Sequence, residues 1–303
     1  MNHPRPRLLV SRCLGFDHCR YDGGIRSSLV VEKLRPFCQV QTVCPEADSG
    51  LETPRPAADL YADNTNRARM VQSTTQRDLT ELVESYCDSM STDLDIDGAV
   101  LKAKSPSCGV DSARIFQPDG SWLPGKGILP RLLSRQWPWL PLADEKALED
   151  HHSRHHFLSN LFVVARLRQL GPTPDPVALE EFHRCHKYWL MARSPHDLKQ
   201  LGRLVATGDR DVFGTYRSQL RKVVAQPSHR GRIVNALQHM AGYFSPGSHQ
   251  QEKWQQRVQE FLDGLVAEEE LLQMLRHWQR EQPREYISMQ VLLWPYPSNL
   301  ISK

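Results

Sequence analysis

Three short apolar segments in the first half of the chain each lead into a cysteine. Their length and aliphatic content are typical of buried strands, and predicted helices lie between them. The segments are residues 7–11 before Cys13, residues 37–43 before Cys44, and residues 99–103 before the turn that carries Cys108. Strands that alternate with helices predict a parallel sheet, and the carboxyl ends of parallel strands meet at one edge. The sequence therefore predicts that these three thiols converge on a single crevice.

Further helices, a loop and one more strand of the same domain are predicted between and after these segments. Residues 27–34 and 74–89 are predicted helices, whereas residues 45–60 are rich in proline, glycine and acidic residues and predict a loop. A last strand is predicted at residues 139–142. The pattern is that of an N-terminal α/β domain with a parallel, Rossmann-like sheet.

The second half of the chain is predicted to be helical throughout. The helices span residues 153–170, 177–193, 195–206, 209–225, 229–244, 250–264 and 267–280. A polar segment at residues 145–153 precedes them and marks a domain boundary. We therefore predict an α/β domain over residues 1–148 and an all-α domain over residues 149–303. The proline-containing tail, residues 291–303, is expected to pack as an extended strap.

The chain has seven cysteines, an odd number at wide spacing. The apolar stretch at residues 8–10 is too short for a signal peptide, and no run of about 18 apolar residues predicts a membrane span. A cytoplasmic protein is therefore expected. A reducing cytosol disfavours disulfides, so the cysteines should be buried small side chains or ligands of a metal or cluster. Cys19, Cys38 and Cys87 lie away from the predicted strand ends.

Charge is unevenly distributed along the chain. Residues 1–150 contain 18 basic and 21 acidic side chains, whereas residues 151–303 contain 20 and 14. Residues 184–232 contain 11 basic and 3 acidic side chains. Two of the basic residues, Arg217 and Arg221, lie about one helical turn apart. Such a patch would neutralise phosphates and predicts RNA binding. A solvated basic surface is the alternative, because no recognisable RNA-binding motif is present.

Sequence motifs surround the three cysteines. They are Cys13 with RYDGG at residues 20–24, CPE at residues 44–46 with TPRP at residues 53–56, and KSPSCG at residues 104–109. With this combination, residues 7–145 resemble the thiouracil desulfidase family. Residues 153–285 resemble a second, uncharacterised family that is often fused behind the first. The fused arrangement resembles the bacterial tRNA 4-thiouridine desulfidases.

The resemblance implies a [4Fe-4S] cluster held by three cysteines, which here are Cys13, Cys44 and Cys108. Thiolates suit iron–sulfur clusters because both partners are soft. Three ligands for four irons leave one iron open, and an open metal site can act as a Lewis acid on the sulfur of a thiocarbonyl. The alternatives are three buried cysteines or a zinc site, although zinc usually takes four ligands at tighter spacing.

Side chains close to these cysteines are the candidate catalytic and substrate-binding residues. Glu46 stands two positions after Cys44, and both this spacing and the resemblance point to a general base that activates water. The resemblance implies that Ser105 takes part in catalysis, and Ser107 is a candidate substrate-binding residue. A capping role is the alternative for each of the three. Tyr21 and Asp22 are further candidate pocket residues.

The activity that the resemblance implies is a hydrolytic, non-redox removal of sulfur from 4-thiouridine in tRNA, which yields uridine and hydrogen sulfide. The tRNA would bind through the basic helical domain, with Arg217 and Arg221 among its contacts, and neither a membrane nor an obligate protein partner is inferred. One alternative is the same chemistry on free thiouracil or thiolated nucleotides. Another is a non-enzymatic iron–sulfur sensor that binds nucleic acid, which would have no need for Glu46.

Overall fold

The computed structural model describes residues 2–65 and 67–300. It divides into two compact units: Arg5–Phe157 form one, and the chain from Leu158 onward forms the other together with the first residues. The division falls inside a helix, His151–Gln169.

The described part of the first unit contains eight strands, numbered here along the chain. They are β1 Arg7–Ser11, β2 Gln39–Val43, β3 Ala58–Ala62, β4 Ala68–Gln72, β5 Gly98–Leu101, β6 Ala113–Phe116, β7 Trp122–Gly125 and β8 Leu142–Asp144. Four of them form a parallel sheet in the order β2-β1-β5-β8. In β1, Leu8 pairs with Val40 of β2 and with Gly98 of β5, and its side chain is fully buried. The predicted α/β fold with a parallel sheet is confirmed.

Four helices accompany these strands: α1 Leu29–Leu34, α2 Pro45–Asp48, α3 Thr80–Thr92 and α4 Ile128–Gln136. Helix α1 begins where Ser28 accepts the N–H of Val31, as an N-cap should. Helix α2 begins directly after β2, with Cys44 at the N-cap and Pro45 in the first position, where a missing N–H costs nothing. The chain therefore passes from strand to helix at a cysteine.

A second sheet of mixed direction, in the order β4-β3-β6-β7, lies outside the sequence prediction. The predicted loop over residues 45–60 is wrong at both ends, since α2 begins at Pro45 and β3 at Ala58, and the predicted helix over residues 74–89 begins only at Thr80. These strands are short and partly exposed, and β3 is paired on both sides by partners from elsewhere in the chain. One sequence feature that could have indicated this sheet is Gly120, which lies in the turn of the β6–β7 hairpin and has a φ of +84° that favours glycine.

The second unit is built from helices, which confirms the predicted all-α region. They are the part of α5 His151–Gln169 from Leu158 onward, α6 Pro176–Arg193, α7 Pro195–Ala206, α8 Phe213–Val224, α9 Arg230–Ala241, α10 Ser248–Leu262, α11 Glu268–Glu281 and α12 Glu285–Ser288. Trp189, Tyr216 and Trp254 are among its fully buried side chains. After α12 the tail contains one short 3₁₀ helix, Ser298–Leu300, and the N–H of Val291 donates to Cys185 O at 2.9 Å. Residues 301–303 of the predicted strap lie outside the described residues.

Within the residues that the structure describes, we find no helix that is both long and apolar enough to cross a membrane.

A cysteine-lined candidate active site

A cavity of about 490 Å³ lies at the carboxyl ends of β1, β2 and β5. Cys13, Cys44 and Cys108 all line it, together with Glu46 and Ser105. Because the three cysteines follow three parallel strands, the sheet itself brings them together. The structure thus places the predicted thiols around one crevice.

Backbone contacts fix the first two cysteines at these strand ends. The N–H of Arg12 donates to Val43 O at 2.8 Å, which ties the end of β1 to the end of β2. The N–H of Cys44 donates to Asp48 Oδ2 at 3.0 Å. Asp48 also forms an ion pair with Arg12 at 2.8 Å and accepts the hydroxyl of Tyr86 at 3.0 Å. One carboxylate therefore braces both cysteine-bearing turns.

Cys108 lies in a tight turn built around Ser105. The hydroxyl oxygen of Ser105 accepts the N–H of Cys108 at 3.2 Å, and the N–H of Gly109 donates to Ser105 O at 2.8 Å. A side chain at position 109 would bring its Cβ within 2.8 Å of the backbone nitrogen of Ala113. Only glycine fits there, so the packing of this turn requires the last residue of the KSPSCG motif.

A fourth cysteine joins the cavity, although the sequence prediction set it apart from the other three. Cys19 is only 4% exposed and lines the same space. The thiol of Cys44 donates to the backbone oxygen of Cys19 at 3.6 Å. The loop that carries it folds back because the N–H of Arg26 donates to Cys13 O at 2.8 Å. The short spacing from Cys13 to Cys19 is the signal that could have indicated this convergence.

The pKa values of three cavity thiols, Cys19, Cys44 and Cys108, are raised. Hydrogen bonding with Cys13 raises the pKa of Cys19 to about 11. Contact with Cys19 and then burial raise the pKa of Cys44, and burial raises the pKa of Cys108. Crowded thiols resist becoming thiolates together unless a cation compensates their charge. A positively charged iron centre would supply that compensation, because metal binding is coupled to thiol deprotonation.

The chemistry of these donors fits an iron–sulfur cluster. Across residues 2–65 and 67–300 no three His, Cys, Asp or Glu side chains converge closely enough to chelate one metal ion. In a cluster each thiolate binds a separate iron, so the ligands surround the cofactor without meeting at a point. Four soft thiols at one buried cavity match that requirement, and Cys13, Cys44 and Cys108 would hold the cluster.

Glu46 is held by partners on both carboxylate oxygens. Arg55 donates to Oε2 through Nε and Nη2, each at 2.8 Å, so two guanidinium donors converge on one carboxylate oxygen. The hydroxyl of Ser107 donates to Oε1 at 2.7 Å. Arg55 also donates to Cys19 O at 3.0 Å, so it connects the carboxylate to the cysteine loop. Arg55 lies in the TPRP motif, but its role was not predicted.

The two predicted serines have different partners. The hydroxyl of Ser105 lies 3.0 Å from that of Ser107 and also accepts the backbone N–H groups of Ser107 and Cys108. Ser105 is thus both a turn cap and the outer member of a hydroxyl chain that runs through Ser107 to Glu46. The structure brings all three predicted residues into one hydrogen-bonded line.

The two candidate pocket residues of the RYDGG motif, Tyr21 and Asp22, have different surroundings. Tyr21 is 43% exposed and lines the cavity, with the guanidinium of Arg20 5.4 Å from its ring centre. Asp22 instead accepts the N–H of Gly24 at 2.9 Å and pairs with Arg20 at 3.1 Å. Hydrogen bonds from Arg20 and then Gly24 lower the pKa of Asp22. The carboxylate therefore shapes the turn, and the tyrosine ring reaches the site.

Basic side chains surround the mouth of the cavity. Arg26, Lys104 and Lys146 are exposed and contribute to its lining. Lys102 also lines it but is engaged by the buried carboxylate of Glu145. The exposed cations would favour an anionic substrate or one attached to a phosphate backbone.

The predicted RNA-contacting arginines lie on α8 of the second unit. Arg217 places its guanidinium 5.7 Å from the ring centre of Phe213. Arg221 is half-buried, and burial followed by the charge of Arg217 lowers its pKa. The two side chains therefore form a local concentration of positive charge.

Comparison with known proteins links the first unit to a family with a described activity. Residues 8–145 match the 2-thiouracil desulfurase family model, and residues 187–297 match a family described as a protein of unknown function, DUF1722. The chain is 30% identical over 135 residues to the uncharacterized protein YbbK of Bacillus subtilis (strain 168), covering 42% of this chain and 89% of that protein. A solved structure of the [4Fe-4S]-dependent thiouracil desulfidase TudS is 28% identical, with a TM-score of 0.40 over 48% of this chain and 94% of that one.

The family match, residues 8–145, includes every residue that lines the cysteine-lined cavity except Lys146. It therefore includes the three predicted cysteine ligands, Glu46 and both serines. Through this first unit, the chain belongs to the 2-thiouracil desulfurase family.

Proposed function

We propose that this protein removes sulfur from 4-thiouridine in tRNA by hydrolysis, with a [4Fe-4S] cluster held by Cys13, Cys44 and Cys108. The observation that carries the proposal is the convergence of these thiols with Glu46 in a single cavity. When bound, the cluster would supply a Lewis-acidic iron for the thiocarbonyl sulfur, since three protein ligands leave one iron open. No net redox change is required.

Glu46 is the general base of the proposed reaction. It lies in the cavity as a carboxylate held by Arg55, and it takes the proton of the water that adds to the thiocarbonyl carbon. Arg55 fixes the direction of the carboxylate through its two hydrogen bonds to Oε2. The carbon–sulfur bond then breaks, and the sulfur leaves as hydrogen sulfide after protonation.

The hydroxyl chain would hold substrate and move protons. Ser107 donates to Glu46, and the outer hydroxyl of Ser105 remains within reach of a ring placed in the cavity. A proton taken up by Glu46 can pass outward along this chain to a leaving group. Tyr21 at the exposed side would pack against the base.

Two features favour a polynucleotide substrate over a free base. The mouth of the cavity carries exposed cations, and the second unit separately carries the arginines of α8, and each group would attract the phosphates of a polynucleotide. The thiolated base must leave its stack to enter the cavity, so the enzyme would act on an extruded nucleotide.

The test is an anaerobic incubation of the reconstituted protein with thiolated tRNA. Mass spectrometry of the digested nucleosides should show 4-thiouridine replaced by uridine, with one sulfide released per base. Cys108→Ala should lose both the visible absorbance of the cluster and the reaction, and Cys38→Ala, at a buried cysteine outside the cavity, should retain both. Full activity in the Cys108→Ala protein would contradict the proposal.

The family description favours one second candidate, desulfuration of free thiouracil. The same assay with 2-thiouracil and 4-thiouracil in place of tRNA separates the two substrates. A value of kcat/KM for free thiouracil equal to or above that for thiolated tRNA would assign the enzyme to the free base.

A further inference from the structure

The second sheet of the first unit carries three neighbouring aromatic side chains on its outer face. Tyr61 of β3 pairs with Phe116 of β6, and Phe116 pairs with Trp122 of β7, so the three side chains project from the same face of the sheet. We call these three residues the aromatic row. The rings of Tyr61 and Phe116 stack with 5.5 Å between their centroids. Tyr61 is 37% exposed and Trp122 is 47% exposed, so the row is open to solvent.

The core of the unit is built from the opposite face of this sheet. Leu60 and Met70 are fully buried in the core, and Ile115 packs against it. Because successive side chains of a strand alternate between its two faces, the aromatic row lies on the side away from this core. Packing between the rings stabilises the sheet, but it does not require that large aromatic side chains stay exposed. A contiguous exposed apolar patch of this kind is typical of an interaction site.

Arginines lie beside the aromatic row. The guanidinium of Arg114 lies 5.0 Å from the ring centre of Trp122, and Arg69 of β4 pairs with Tyr61 of β3. Arg114 is exposed, and Arg69 forms an ion pair with Asp78 while half of its side chain stays exposed. Exposed rings next to cations suit a ligand that has both flat π surfaces and negative charge. Proteins that bind single-stranded RNA use this combination, because bases stack on the rings and phosphates are attracted to the arginines.

Strand β3 connects the aromatic row to the cysteine-lined cavity. Its first two residues, Ala58 and Asp59, line the cavity, and Tyr61 follows Asp59 by two positions. Residues two apart in a strand share one face and lie about 7 Å from each other, a distance that one nucleotide can bridge. A strand of RNA whose extruded base occupies the cavity can therefore reach the aromatic row with its next nucleotides.

We propose that the aromatic row binds the unpaired nucleotides that adjoin the thiolated base of an RNA substrate, by stacking with their bases. The proposal deepens the proposed function and rests on it, because that function supplies the RNA substrate. Tyr21 would pack against the thiolated base in the cavity, whereas the row would hold its neighbours outside. Stacking accepts every base, so the row would favour single-stranded RNA over a regular helix, with little preference for sequence.

Binding of a short single-stranded RNA with 2-aminopurine on either side of a uridine tests the proposal without catalysis. Stacking quenches the emission of 2-aminopurine, so titration with the reconstituted native protein should reduce it. Tyr61→Leu and Trp122→Leu keep an apolar side chain but remove the ring, so each should raise Kd by about 5- to 100-fold and lose most of the quenching. Leu123→Ala is the matched control and should bind like the native protein, since Leu123 is 59% exposed on the opposite face of β7.

Variants that restore a ring guard against a folding defect. Tyr61→Phe and Trp122→Phe should recover the affinity and the quenching that the leucine variants lose. Native affinity and quenching in both leucine variants would overturn the proposal. A dimer of the native protein in sedimentation velocity that Trp122→Leu dissociates would also overturn it, because the row would then bind a second copy of the chain.

Desulfuration assays separate this proposal from the proposed function. Both leucine variants should raise KM for thiolated tRNA, whereas kcat/KM for free 4-thiouridine and the visible absorbance of the cluster should stay at the native level. RNA that binds through the aromatic row of the native protein, with no sulfide released from thiolated tRNA, would support the row and overturn the proposed function.

Discussion

The hydroxyl of Ser107 donates a 2.7 Å hydrogen bond to Oε1 of Glu46, across 61 positions of the chain. The serine comes from the turn after β5 and the glutamate from the first turn of α2. Since Ser105 reaches Glu46 only through this hydroxyl, Ser107 holds the central place in the chain. The structure thus gives the serine predicted to bind substrate an additional role, the positioning of the base.

Replacement of Ser107 by alanine should lower kcat by about 10- to 100-fold. A hydrogen bond to a charged group contributes about 1.5–3 kcal/mol, and its loss would free one oxygen of Glu46 to rotate away from the water. The measurement is kcat and KM for anaerobic desulfuration of thiolated tRNA. Ser85→Ala, an exposed position on α3, is the control and should be neutral. An unchanged kcat in Ser107→Ala would show that Arg55 alone positions the carboxylate.

Replacement of Glu46 by glutamine should separate catalysis from cluster binding. The amide keeps the shape of the side chain but cannot accept a proton, so kcat should fall by about 10²- to 10⁴-fold. The visible absorbance and iron content should remain at the native level, because Glu46 is not among the proposed ligands. Unchanged desulfuration would remove Glu46 as the base. If every measurable function survived, the iron–sulfur sensor would become the better interpretation.

Acid should destabilise the helical unit through its buried histidines. Burial, followed by the charge of Arg166, lowers the pKa of His186 to about 3, and burial lowers that of His183 to about 4. Both values lie below the ordinary 6.5, so the unfolded chain binds more protons as the pH falls below 6.5. The free energy of unfolding that these two histidines contribute is therefore fully present above pH 6.5. It decreases as the pH falls from 6.5 to the pKa values of the folded state. For His186 alone the loss at pH 5 is about 2 kcal/mol.

The matched variants for this effect are His186→Gln and His239→Gln. His186 is buried, whereas His239 is exposed on α9. Thermal unfolding at pH 7 and pH 5 should show a smaller decrease in melting temperature for His186→Gln than for the native protein, and no such difference for His239→Gln. Equal pH dependence in all three proteins would remove His186 as a source of acid lability.

The parallel sheet could be predicted from the sequence because its central strands, β1 and β5, are buried almost throughout. Leu8, Leu9 and Val10 are fully enclosed, so the strand had to be an unbroken apolar run. The second sheet escaped prediction for the opposite reason. Tyr61 of β3 is exposed, and besides its hairpin partner β4 this strand pairs with the distant β6, which the local sequence cannot indicate.

The residues of the candidate site could be predicted only where they lie close to one of the cysteines along the chain. Glu46 follows Cys44 closely, so the position of the cysteine also located the carboxylate. Arg55 and Cys19 were not identified, because their roles depend on how two loops fold back toward the strand ends. A lone basic residue or an additional cysteine carries no such information until its partners in space are known.

Salt dependence should reveal whether the α8 arginines contact RNA. Each phosphate contact that is removed should flatten the slope of log Kobs against log[salt] by about 0.7–0.9, so Arg217→Ala combined with Arg221→Ala should reduce it by about 1.4–1.8. Binding of thiolated tRNA should weaken, whereas kcat/KM for free thiouracil, if measurable, should not change. Arg280→Ala, exposed on α11 outside the basic segment, is the control. Because Arg221 is half-buried, the melting temperature of the double variant must match the native value. An unchanged slope in that folded protein would place the RNA contacts elsewhere.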